Sequence, residues 1–202
     1  MIKYAVTSAC MNKCEYCIMR NVSRREEIDL DKVRSTLNTA RALSHQIMLT
    51  GGEPTLSRFF NEKVEIAREL FDEVYLSTAN WRYMASPQVP NRHIDAITYT
   101  IHRKHDVNAL INSGMYHKEI YVAIVWPQLA VIVDEYAEAL NHMGFKGLTV
   151  NEDHRGTAVF DEESLVPIPG FSYKINRRGH CLDDMPIVMP DLEVEMSFSK
   201  WV

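Results

Sequence analysis

Short apolar runs alternate with amphipathic stretches along most of this chain. Ile2 to Thr7 carries β-branched and aromatic side chains in alternation, the period of a strand. Asp29 stands as an N-cap before Leu30, Val33, Leu37 and Ala40, whose spacing puts them on one helical face. The unit then repeats. Gln46 to Thr50 reads as a second strand that stops at Gly51-Gly52-Glu53-Pro54-Thr55, and Phe60, Val64, Ala67 and Phe71 mark the face of the next helix. Further strands are expected at Glu73 to Ser77, Ala96 to Ile101, Glu119 to Val125 and Gly147 to Val150. Between them, Pro87 to Asn91 reads as a loop, and Val107, Leu110 and Ile111 precede a helix stop at Gly114. Val131 to Met143 reads as a helix that Gly144 closes from the C′ position.

Six strands joined by helical or loop crossovers imply a parallel α/β sheet with right-handed connections. Eight such units close a full barrel, so six predict a partial (β/α)6 TIM-type barrel over residues 1–153. Beyond Asn151 the texture changes, with Pro167, Pro169, Pro186 and Pro190 and no long periodic segment. Residues 154–202 are therefore expected as an irregular C-terminal cap on the barrel, part of the same domain, with one short strand around Leu192 to Met196. Closing the barrel mouth is the role expected of it. In barrels of this class the loops after the strand C-termini build the site. The segments that carry chemistry here, the cysteine loop, Gly51 to Glu53, Ser77 to Asn80 and His102, all fall at that end.

Composition narrows the function classes. A chain of 202 residues, 46% hydrophobic and 24% charged, suits one globular domain with its own core. The formal net charge of −5 argues against a duplex nucleic-acid partner, because such binders present a basic face that displaces counterions. No apolar run approaches the ~20 residues that span a bilayer. The first residues lack a signal-peptide core with a cleavage site, so a cytoplasmic location is expected.

Three of the four cysteines, Cys10, Cys14 and Cys17, come after the first strand with three and then two residues between them. Clustered thiols in a reducing compartment hold metal more often than they form disulfides. Two occupants compete: a structural zinc ion completed by Cys181 or by a histidine, and a [4Fe–4S] cluster that three thiolates leave with one open iron.

The C-x3-C-x2-C loop with Tyr16 just before its last cysteine, together with Gly51-Gly52-Glu53-Pro54 after the second strand, resembles the radical S-adenosylmethionine (radical SAM) superfamily. The resemblance covers roughly Met1 to Asp153 and implies an enzyme with two cofactors, a [4Fe–4S] cluster and S-adenosyl-L-methionine (SAM). Cys10, Cys14 and Cys17 would bind three irons, and SAM would chelate the fourth. Tyr16 would lie near the adenine. Gly51 and Gly52 would allow close backbone approach, and Glu53 or its neighbouring backbone would take the methionine ammonium. Ser77 and Thr78 end the third strand at a family contact position, though Ala79-Asn80 departs from the usual turn. Thr100 and His102 would reach ribose or carboxylate after the fourth strand, and Asn151 would do so after the sixth. His102 and Cys181 are the two catalytic candidates.

The reaction implied is reductive cleavage of SAM to a 5′-deoxyadenosyl radical that abstracts hydrogen from a substrate, which is a small molecule, nucleotide or peptide. An electron donor such as flavodoxin or ferredoxin is the implied partner. One leftover cysteine cannot ligate a second cluster, so the chain resembles the minimal single-cluster members, the glycyl-radical-enzyme activases and the 7-carboxy-7-deazaguanine synthases. The latter usually place a hydroxyl residue soon after the third cysteine, where this chain has Ile18-Met19-Arg20. Arg20, Arg24 and Arg25, with Arg177 and Arg178, would suit an anionic substrate if they converge on the mouth. A zinc-binding interaction module is the non-enzyme alternative.

Overall fold

A computed structural model describes residues 1–17, 19, 28–84, 92–102, 106–109, 119–126, 140–142, 144–152, 161, 168–169, 171–176, 187–192 and 194–195. The chain divides into two compact units. Within each, the strands pair largely in parallel.

The first unit holds strands β1 (Ile2–Thr7), β2 (Gln46–Gly51) and β3 (Glu73–Thr78), helices α1 (Leu30–Ala40) and α2 (Phe60–Leu70), and two short strands from late in the chain. β1 pairs with β2, and β2 with β3, both in parallel, so that Ile47 lies between Ile2 and Val74. A parallel strand is covered on both faces and reads as a continuous apolar run. That is why Tyr4, Ala5 and Val6 are all buried in succession. Helix α1 begins where the sequence places its cap: Asp29 Oδ1 accepts from the N–H of Asp31 at 3.1 Å and of Lys32 at 3.2 Å. Val33 and Leu37 of α1 and Val64 and Ala67 of α2 are buried, as their helical spacing requires. Arg34 on α1 pairs with Glu69 on α2 at the surface. At the opposite end of the sheet from the cysteine and glycine loops, Asp95 Oδ2 accepts from Arg68 at 2.6 Å and from the N–H of Val74 at 2.8 Å.

The second unit holds β4 (Ala96–Thr100), β5 (Ile120–Trp126), β6 (Gly147–Glu152) and β7 (Ser172–Asn176) in the order β7-β6-β5-β4, every neighbouring pair parallel. Gly144 has φ +86° and its N–H donates to Asn141 O at 2.9 Å, the left-handed helix end expected of it.

All six expected strands are present: β1 has the expected bounds, β2, β3 and β6 run one or two residues further, β5 is shifted by one residue, and β4 ends one residue sooner. The C-terminal segment is more regular than the expectation of one short strand. It contributes β7 beside β6, β8 (Ile187–Val188) parallel to β1, and β9 (Val194–Glu195) antiparallel to β8. Two-residue strands carry no periodicity of their own. They exist because the free edge of β1 offers backbone partners, which only the folded sheet supplies. Cys181 and the arginines at 20, 24, 25, 177 and 178 lie outside the described residues, as does most of the helix expected at 131–143.

Candidate active site

The site is assembled where β1 and β2 end. Thr7 is 1% exposed, and its Oγ1 accepts from the N–H of Ala9 at 3.1 Å, turning the chain out of the strand. The loop after β2 continues the pairing beyond the sheet. The N–H of Gly52 donates to Thr7 O at 2.8 Å, and the N–H of Glu53 donates to Ala9 O at 2.7 Å. The base of the cysteine loop and the Gly-Gly-Glu loop are therefore fixed to one another by main-chain bonds.

Glycine is required twice by this approach. A Cβ on Gly51, whose φ is +125°, would lie 2.5 Å from Thr7 O. A Cβ on Gly52 would overlap Ala9 O and lie 2.7 Å from Ser8 O. The close contact these glycines permit is with the backbone that leads into Cys10.

Cys10 is exposed, Cys14 and Cys17 are half-buried, and none of the three is in a disulfide. The Cys17 N–H donates to Cys14 O at 3.2 Å, a tight turn that includes the half-buried Tyr16. Desolvation by the surrounding chain raises the Cys10 thiol above the ordinary cysteine value. The N–H of Asn12, 3.4 Å from the sulfur, opposes that shift, while the charge of Glu53 and the neighbouring Cys17 and Cys14 add to it. Cys17 packs against an apolar group formed by Ala5, Met19, Ile187 and Met189. The C-terminal segment thus builds a wall beside the last cysteine.

Glu53 is 1% exposed. Its Oε1 accepts from Thr55 Oγ1 at 2.7 Å, from the N–H of Thr55 at 3.2 Å, and from Thr78 Oγ1 at 2.6 Å. Successive side chains on a strand face opposite ways. Thr78 is therefore buried toward Glu53, while Ser77, its neighbour on β3, is half-buried on the other face. The remaining positions belong to the second unit. Asn151 on β6 donates from Nδ2 to Ile124 O on β5 at 3.2 Å, bridging adjacent strands. The N–H of His102 donates to Asp106 Oδ2 at 3.2 Å, and Thr100 closes β4. Sequence reasoning overlooked Thr7, Thr55 and the buried Lys63. A lysine between Phe60 and Ala67 on an apolar helical face was the one available signal among them.

The profile of the Radical SAM superfamily matches residues 4–155, well over half of the chain. A GTP 3′,8-cyclase from Mannheimia succiniciproducens is 33% identical over 88 residues, covering 40% of this chain and 26% of that protein. The chain thus spans only about a quarter of that relative's length. Streptococcus suis SuiB bound to S-adenosylmethionine superposes with a TM-score of 0.67 at 11% identity, over 96% of this chain and 59% of SuiB. SuiB bound to its precursor peptide SuiA gives 0.58 at 14% identity, over 75% and 39%. These likenesses show the fold, a parallel α/β architecture of the partial TIM-barrel type. With the profile match spanning both the cysteine loop and the Gly-Gly-Glu loop, the chain belongs to the radical SAM superfamily.

Proposed function

We propose that Cys10, Cys14 and Cys17 hold a [4Fe–4S] cluster through three of its irons, and that SAM completes the fourth. The observation that carries this reading is the pair of main-chain bonds, Gly52 to Thr7 and Glu53 to Ala9, that sets the cysteine loop and the Gly-Gly-Glu loop in one register. Three thiols on one loop form a donor set suited to a cluster with one open iron. When bound, the cluster and SAM supply a one-electron reductive cleavage whose organic radical removes hydrogen from a substrate.

The protein's own groups bind and orient. Glu53 holds Thr78 at the end of β3 and is itself held by Thr55, which fixes the Gly-Gly-Glu turn beside the base of the cysteine loop. Tyr16 would border the adenine, and Ser77 would offer a further polar contact within the first unit. The wall of Met19, Ile187 and Met189 keeps water from the Cys17 side. Electrons come from an external carrier of the flavodoxin or ferredoxin type.

Anaerobic reconstitution with iron and sulfide, followed by reductant and SAM, tests the reading. The expected product is 5′-deoxyadenosine, formed uncoupled from any substrate. Stoichiometric zinc binding with no SAM cleavage would refute it. A Cys14→Ala protein that keeps a full iron complement would contradict the ligand assignment.

A further inference from the structure

Two charged side chains are buried among the described residues, Glu53 and Lys63, and both belong to the first unit. Lys63 is 0% exposed on the core face of α2. Its Nζ donates to Val6 O at 3.1 Å and to Ser57 Oγ at 3.3 Å. Val6 is the residue at which the register between β1 and β2 shifts, skipped between the pairs Ala5 with Thr50 and Thr7 with Gly51. Bulges of this kind disturb the ladder and re-aim the residues beyond them. Beyond this bulge the chain runs directly into the cysteine loop.

Ser57 closes the single helical turn Pro54–Leu56, which begins at Glu53, and its Oγ also accepts from the N–H of Phe59 at 3.3 Å. One buried ammonium therefore grips the strand leading into Cys10 and the turn leading out of Glu53. Lysine is rarely found fully buried, because desolvating an ammonium is costly unless hydrogen bonds and opposite charge offset the loss. Hydrogen bonds that offset the loss here include those to Val6 and Ser57. Glu53, the other buried charged residue, begins the turn that Ser57 closes, and Val6 lies four residues before Cys10.

We propose that Lys63 is a positioning residue for the cysteine loop and a fixed positive charge behind the cluster that the loop holds. The inference rests on the proposed cluster at Cys10, Cys14 and Cys17. Reduction adds one negative charge to the cluster, and net charge and hydrogen bonding around such a centre set its potential. A buried cation favours the reduced form. It also fixes the bulge from which the three thiols are presented.

The test is Lys63→Met, which keeps the approximate volume and removes both the charge and the donor. Wild-type and variant chains are reconstituted anaerobically and titrated against redox mediators, with the cluster monitored by its visible absorbance and electron paramagnetic resonance. The variant is expected to show a more negative midpoint potential and to lose iron to a chelator several-fold faster. A folded Lys63→Met protein with the wild-type potential overturns the proposal. If that variant fails to fold, Ser57→Ala decides instead, since it leaves the charge in place and removes one acceptor. Iron release several-fold faster than wild type supports the proposal, and release at the wild-type rate overturns it. A wild-type chain that assembles no cluster overturns the cofactor reading and the inference with it, an outcome visible before any variant is measured.

Discussion

Thr78 Oγ1 lies 2.6 Å from Glu53 Oε1, both residues are buried, and the bond joins the end of β3 to the loop after β2. Hydrogen bonds to a carboxylate are short and stronger than neutral ones. This one fixes where a glutamate of the Gly-Gly-Glu loop can point.

Thr78→Val keeps the shape and removes the hydroxyl. A loss of about 1.5–3 kcal/mol of stability is expected, because a bond to a charged group disappears and a carboxylate oxygen gives up one of its donors. Denaturant unfolding of the metal-free protein measures it. Thr78→Ser should recover most of the loss, and SAM binding to the reconstituted protein should weaken in the valine variant and not in the serine one.

Two glycines should respond differently to alanine. At Gly52 a Cβ overlaps Ala9 O, so Gly52→Ala must displace the base of the cysteine loop, and iron bound per chain should fall by more than half. At Gly144 no described residue lies within 4 Å of the added Cβ, and the cost expected is that of the positive φ. Gly144→Ala should therefore lose about 1–2 kcal/mol of stability while iron content stays at the wild-type level. Iron and sulfide analysis beside thermal unfolding separates the two.

The raised Cys10 thiol gives cluster assembly a pH dependence. Metal binds the thiolate, so a thiol held protonated must release its proton on binding, and uptake improves as pH rises toward its raised value. Between about pH 7 and pH 9 the rate of iron incorporation should increase, with the rise extending above the ordinary cysteine value of about 8.5. A flat profile over that range would contradict the assignment. In the metal-free protein the sign is opposite for stability: the folded state holds the proton more tightly, so this contribution is present below the ordinary value and is lost as pH rises through the raised one.

Met189 tests the apolar wall. It is 4% exposed beside Met19 and Ile187, against which Cys17 packs. Met189→Ala should cost about 2–5 kcal/mol of stability through the cavity it leaves. It should also speed loss of the cluster in air, because solvent and oxygen reach the Cys17 side. Decay of the cluster's visible absorbance after exposure to air gives the rate.

Periodicity and spacing in the sequence by themselves determined the six central strands, the α1 cap at Asp29, the faces of α1 and α2, and the cysteine and Gly-Gly-Glu loops at the strand ends. They did so because local rules govern those features: side chains alternate along a strand, recur every third or fourth residue on a helix, and a cap lies next to the turn it closes. Tertiary structure alone decided the rest. The glycines at 51 and 52 prove to be shaped by the backbone of Thr7 to Ala9, a contact across some forty residues of chain that no spacing announces. Thr55 and Thr78 meet on one oxygen of Glu53 only because β2 and β3 lie side by side. Lys63 reaches Val6 across the sheet-helix interface, and Ile187 and Met189 reach Cys17 through a two-residue strand on the edge of β1. Contacts of this kind join segments far apart in sequence, so their physics is expressed only once the chain has folded.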